Sequence, residues 1–185
     1  MQRDLVVRAR RGDLDAFSAL TVSKTGRLFG AARLILRDDE QAADAVQDAL
    51  LQAWLDLHGL RDPDRFDAWL HRLLVRACYR AAKRGRQRAV VELPLDATLE
   101  PTTPDAQRDV VVRDQLDRGF QRLAPEQRAV IVLHHYLGLS LAESAEALAI
   151  PLGTMQSRLS RATQAMRAAL DADERPAAGA MEVAR

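Results

Sequence analysis

Residues 139–170 read LSLAESAEALAIPLGTMQSRLSRATQAMRAAL, and this stretch decides how the chain folds. Ser140 is placed to cap a short helix over Leu141 to Ala149, because its side-chain oxygen can accept from the first free amides. Ala145 and Leu148 turn inward. Ile150 plugs a tight turn, and Pro151 opens the next helix, where a missing N–H costs nothing. In that helix Met155, Leu159, Ala162 and Met166 share one side. Thr154, Ser157, Ser160, Arg161 and Gln164 share the other, with Gln156 and Arg158 on its flanks. Three arginines and no acid fall between the turn and Leu170. The pattern predicts a helix-turn-helix whose second helix suits a DNA major groove. Arg161 can reach a guanine edge, in a bidentate pair worth ~1–3 kcal/mol, and Arg158 can hold a phosphate. A plain helical hairpin is the alternative, since two helices and a turn are not specific to DNA binding.

The same period runs through the rest of the chain. Val110 to Leu123 is expected to form one helix, and Ala124-Pro125 to start another that ends at Leu137. Upstream, residues 89–108 hold Pro94, Pro101 and Pro104 and carry a net charge of −3, which reads as an extended acidic linker. Before it, Asp13 can cap a helix carrying Leu14, Phe17 and Leu20, and Leu28, Ala32 and Ile35 mark a second. Asp38 or Asp39 can cap a third, whose apolar row is Ala42, Ala45, Val46, Ala49, Leu50, Ala53, Trp54 and Leu57. Pro63 suits the start of a fourth, with Phe66, Leu70, Leu73, Leu74, Ala77 and Ala81 as its buried face. The one strand candidate, Ala89-Val-Val-Glu-Leu, is cut off by Pro94. The expected fold is all-α: a helical domain over 1–88, the linker 89–108, a helix-turn-helix domain over 109–170 and a disordered tail over 171–185.

Two of these helices carry segregated charge. The whole chain has a formal net charge of +1, yet residues 61–88 alone carry +6. At about 100° per residue, Arg65, Arg72, Arg76, Tyr79, Lys83 and Arg86 fall on one narrow stripe without an acid. Arg80 lies beside it and Arg84 follows. Like charges at this spacing destabilise a helix, so an anionic partner would relieve them. Phosphate contacts supply that, and an aromatic among cations suits stacking on single-stranded DNA. A solvated arginine-rich face is the alternative. Between Asp38 and Asp56 the charge is reversed, with six acids and no base. Asp44, Gln47, Asp48 and Gln52 repeat at three and four there. That face fits a basic partner helix, or water alone.

Composition excludes several classes. Of 185 residues 48% are apolar, too many for a disordered chain. A single cysteine rules out an internal disulfide or a cysteine-rich zinc site. The longest apolar run, Ala129 to Leu133, is too short to cross a bilayer, and the charged N-terminus lacks a signal-peptide core. A cytoplasmic protein is expected. There is no phosphate-binding glycine loop, nucleophile elbow or paired catalytic constellation, so neither enzyme activity nor a cofactor is expected. Adjacent His134 and His135 point about 100° apart on a helix, which argues against a shared metal. Cys78 reads as a packing residue.

Taken together, three segments resemble one family. Residues 44–54, DAVQDALLQAW, 66–84, FDAWLHRLLVRACYRAAKR, and 123–162, LAPEQRAVIVLHHYLGLSLAESAEALAIPLGTMQSRLSRA, are similar in kind and order to extracytoplasmic-function sigma factors of the sigma-70 family. That resemblance implies a specificity subunit that binds core RNA polymerase and initiates transcription of a specific regulon. It implies that Asp44, Gln47, Asp48 and Gln52 contact the clamp helices of the polymerase largest subunit. Arg65, Arg72, Arg76, Tyr79, Arg80, Lys83 and Arg84 would hold the melted −10 strand. Thr154, Gln156, Ser157, Arg158 and Arg161 would read or position the −35 element. The flap of the polymerase, an anti-sigma factor and a nucleoid location through the polymerase are further implications. Arg76 and Arg80 stand where the family often has Asn and Asp, and Gln156 where Lys or Arg is common. A polymerase-independent helix-turn-helix regulator is the competing reading.

Overall fold

Asp13 starts the N-terminal bundle by capping. Its carboxylate accepts from the Ala16 amide at 2.9 Å and is held below the usual carboxylate range, first by that bond and then by Arg8. Gly12, at φ +91°, turns the chain here from α1 (Gln2–Ala9) into α2 (Leu14–Leu36), in backbone that a side chain resists. The computed structural model describes residues 2–89 and 115–179, and all its regular elements are helical. The two helices expected on either side of Thr21–Thr25 are instead one, α2. The hydroxyls of Thr21 and Thr25 each donate to the carbonyl four residues back, at 3.0 Å, so this polar stretch satisfies itself inside the helix.

A two-residue turn leads on. Arg37 is left-handed at φ 61°, and Asp38 rather than Asp39 caps α3 (Asp39–Asp56), accepting from the Gln41 amide at 2.9 Å. Two short 3-10 turns follow, Leu57–Gly59 and Pro63–Arg65. Pro63 therefore begins a 3-10 turn, and α4 (Phe66–Ala89) starts after it. Phe66, Leu70, Leu73, Leu74, Ala77 and Ala81 are all buried.

In the C-terminal half, α5 covers residues 115–121, while 110–114 of the expected helix lie outside the described residues, as do 90–109. Next come α6 (Pro125–Ile131), a π turn (Val132–Tyr136), α7 (Leu141–Leu148) and α8 (Leu152–Gly179). The single helix expected to Leu137 thus widens at its end. A π turn aligns residues five apart; Val132 and Leu137 both become buried, joined by an amide-to-carbonyl bond of 2.9 Å. Helix α8 starts one residue after Pro151. It continues past Leu170 to Gly179, so residues 171–179 of the expected disordered tail are helical, and 180–185 lie outside the described residues.

Ser140 and Glu143 cap α7 reciprocally: the Ser140 amide donates to Glu143 Oε2 at 2.8 Å, and the Glu143 amide donates to Ser140 Oγ at 3.2 Å. Ala149 closes α7 in left-handed backbone, φ 54°, a conformation that costs a non-glycine residue about 1 kcal/mol. Ala149→Gly is therefore expected to stabilise the protein by about 0.5 kcal/mol, part of the gain being offset by a freer unfolded chain. Urea denaturation measures this; an unchanged or lower midpoint would contradict it.

The largest apolar cluster runs from Val6 through α2, α3 and α4 into Phe120, Leu123, Ala129, Leu133, Leu139, Ala147 and Met166. A small second cluster, Val130, Ala145, Met155 and Ala162, holds the helix-turn-helix together. The sequence suggested a core for each half. The structure places the C-terminal half directly on α2 and α4.

Candidate functional site

Three surfaces carry the residues singled out from sequence. On α3, Asp44 and Gln47 are exposed and Asp48 and Gln52 half-buried. Asp48 faces Arg84 at 3.8 Å, and Gln52 donates to Asp56 at 2.6 Å. Sequence reasoning missed what lies beside them. An open apolar groove of about 750 Å³ runs between α2 and α3, lined by Phe17, Phe29, Val46, Leu50, Leu51 and Trp54 among others. Phe17 and Trp54 pack with ring centroids 5.2 Å apart. A signal was present: Leu51 and Leu55 fall outside the apolar row, and they are 58% and 56% exposed.

On α4 the cationic stripe is divided. Arg76, Arg80, Lys83 and Arg84 are exposed. Arg72 and Tyr79 are half-buried, and Arg72 Nε and the Tyr79 hydroxyl are buried with no partner among the described residues. Arg65 stands at the edge and pairs with Glu146 of α7 at 2.7 Å. What covers the stripe is the C-terminal half: α7 packs across α4, and Glu126 and Arg158 stand close enough to act electrostatically on Tyr79. Burial, then Glu126, pushes the Tyr79 hydroxyl up to about 12. Cys78 is fully buried and its thiol is likewise raised to about 12 by burial, which makes it inert as a nucleophile.

On α8, Gln156, Arg158 and Arg161 are exposed and Thr154 and Ser157 half-buried. Met155 and Ala162 are fully buried beneath them. Arg161 folds back along its own helix, its Nε donating to the Ser157 carbonyl at 3.3 Å. The site is thus an exposed polar helix face on a small apolar seat. His134 donates its Nδ1–H to the Leu139 carbonyl at 2.8 Å, bracing the entry to α7. Among the described residues no group of three His, Cys, Asp or Glu is placed to hold a metal, and no helix is long and apolar enough to cross a membrane.

His71 sits where α2, α4 and α7 meet. Its Nδ1 is buried without a partner among the described residues. Burial lowers its pKa; Asp67 and Glu143 act to raise it, and Arg27 and Lys24 to lower it. The unfolded chain therefore takes up this proton first as pH falls. Stability from His71 is full above about pH 6.5 and is lost as pH drops through the depressed folded value. Thermal melts between pH 7.5 and 5 are expected to show that decline, and His71→Gln to flatten it.

A family model for sigma-70 region 2 matches residues 23–88, and one for sigma-70 region 4 matches residues 113–166. Among curated proteins, the ECF RNA polymerase sigma factor SigM of Mycobacterium tuberculosis is 35% identical over 82% of this chain and 75% of its own length. The chain belongs to the extracytoplasmic-function sigma factors. The RNA polymerase sigma factor CnrH of Cupriavidus metallidurans is 32% identical over 92% of this sigma factor and 95% of its own chain. A solved structure of CnrH in complex with the cytosolic domain of CnrY aligns at TM-score 0.68, with 28% identity, covering 93% of this chain and 98% of that one. RpoE in complex with the anti-sigma factor NepR from Bartonella quintana aligns at 0.67, with 25% identity, covering 85% and 98%. In this sigma factor the region 2 match holds the acidic face and α4, and the region 4 match holds the helix-turn-helix.

Proposed function

We propose that this sigma factor binds core RNA polymerase through α3, reads a −35 element with α8 and holds a melted −10 strand on α4. The observation that carries the reading is one arrangement. Exposed carboxylates on α3, exposed cations on α4 and an arginine-bearing recognition helix occur in one chain. A regulator that binds duplex DNA alone needs only the last of these. Asp44, Gln47, Asp48 and Gln52 form the polar half of the polymerase contact, and the Leu50–Leu51–Trp54 groove its apolar half. Arg76, Arg80, Lys83 and Arg84 are open to phosphates; Arg65, Arg72 and Tyr79 complete that surface. Thr154, Gln156, Ser157, Arg158 and Arg161 face the −35 groove. An anti-sigma factor is a further partner, since one structural neighbour was solved with the anti-sigma factor NepR bound and another with the cytosolic domain of CnrY.

The test is run-off transcription with core polymerase and fragmented genomic DNA of the source organism, followed by sequencing of the 5′ ends. Start sites sharing two spaced motifs, and absent without this protein, are expected. No starts above core alone, with an active control sigma factor present, would reject the reading.

A further inference from the structure

We infer that α8 is tuned to A·T pairs, with Leu152 taking the methyl group of a thymine and Gln156 the edge of an adenine in the major groove. The inference rests on the proposed role of α8 as the −35 reader. Burial fixes which way this helix faces: Met155, Ala162 and Met166 point into the core, and Leu159 packs against the smaller cluster. At about 100° and 1.5 Å per residue, Leu152 and Gln156 lie about 40° apart on one flank, separated by about 6 Å along the axis. That separation spans about two base pairs. Both residues are exposed, Leu152 by 47%, and Ser160 continues the row, also exposed. Next to them a Cβ on Gly153 would meet nothing within 4 Å. The open space and the missing side chain let the backbone come close to the base edges.

The chemistry of this flank differs from that of its neighbours on α8. Arg161 is folded onto Ser157, its Nε donating to the carbonyl and its Nη2 to the hydroxyl, each at 3.3 Å. Arg158 stands close enough to Tyr79 of α4 to act on it electrostatically. Gln156 has no hydrogen-bond partner among the described residues, so both ends of its amide are free. A glutamine amide offers a donor and an acceptor side by side. Adenine matches both, since its N6 amino group donates and its N7 accepts. Guanine presents two acceptors, N7 and O6, so the glutamine carbonyl would face an oxygen without a proton; cytosine and thymine each offer one matching atom. Leucine selects by the opposite means. It gains by covering the thymine C5 methyl, and against an amino or carbonyl edge it would strip water from a polar atom and replace it with nothing. A single exposed leucine is ordinary on a protein surface. This one occupies the first turn of the recognition helix, one turn from an unengaged amide, and both side chains favour the same kind of base pair.

The test is selection of duplexes from a randomised library by the full chain, without polymerase, followed by sequencing of what is bound. The parent is expected to fix two A·T pairs. Gln156→Ala should lose the preference at one and Leu152→Ala at the other, with the rest of the site unchanged, and Gln156→Arg should move the first position to G·C. Both residues are exposed, so the variants are expected to keep the parent's thermal midpoint. Atom-level replacements in the selected duplex, read by anisotropy, assign each contact. Exchanging the adenine for 7-deazaadenine, which removes N7, should weaken the parent about tenfold and Gln156→Ala less than about twofold. Exchanging the thymine for uracil, which removes only the methyl, should weaken the parent about threefold and leave Leu152→Ala unaffected. Unchanged base preferences in both alanine variants, or equal losses in parent and variant on either replacement, would overturn the inference. So would a G·C pair at the position that Gln156→Ala relaxes. Run-off transcription by the parent remains a separate measurement: start sites there, beside any of these results, would keep the sigma reading while the base assignment falls.

Discussion

Charge reversal on α3, Asp44→Arg with Asp48→Arg, is expected to lower run-off transcription roughly 100-fold and to leave binding to duplex DNA within about twofold of the parent. Each reversal replaces an attraction with a like-charge contact at a basic partner, and 1.4 kcal/mol is a factor of ten. Asp44 carries the cleaner signal. It is exposed, whereas Asp48 is half-buried and faces Arg84 at 3.8 Å, so an arginine at 48 also repels a cation of its own chain. Asp44→Arg alone should therefore lose about tenfold with an unchanged thermal midpoint. Full transcription by the double variant would remove the carboxylates from the polymerase contact and leave the apolar groove to account for it.

The largest expected loss of stability follows Phe66→Ala. Phe66 is fully buried at the first turn of α4, with Trp69 packed against it at a centroid distance of 6.1 Å. Truncating a buried Phe removes its transfer free energy and leaves a cavity, about 3–5 kcal/mol together. That is a large share of the ~5–15 kcal/mol that holds a typical domain. The denaturation midpoint should fall far enough to leave the variant partly unfolded at growth temperature. A loss below about 1 kcal/mol would mean that the core closes over the gap. Because α4 carries the cationic stripe, DNA binding and stability should be lost together in Phe66→Ala, whereas Arg76→Ala should cost binding alone.

The helix-turn-helix was legible because each signal in it is local. A capping serine, an apolar row at three and four, and a proline at the turn act within a few residues of themselves. The structure moves only their edges: α7 ends one residue early, at left-handed Ala149, and α8 begins one residue after Pro151. The buried row of α4 was legible for the same reason. The sequence divides α2 between two apolar rows, whereas the structure runs it as one helix: the hydroxyls of Thr21 and Thr25 return to the carbonyls one turn back, which the chain alone does not show. The π turn at Val132–Tyr136 was equally out of reach, since a period of 3.6 continues through His134 and His135 without a break.

By itself, then, the sequence determined the all-α class, the order of the helices, the charge of each exposed face and the family, because period, capping and composition are properties of short stretches. Only the tertiary structure decided which charges remain open. Arg72 and Arg76 are one turn apart on the same stripe and equivalent on a helical wheel. One has its Nε buried and the other is exposed, because a helix 70 residues away in the chain packs across α4. The apolar groove beside Asp44 and the close approach of the Tyr136 ring to Gly30 have the same origin. Each is made by two elements meeting, and no local pattern encodes where a distant surface will land.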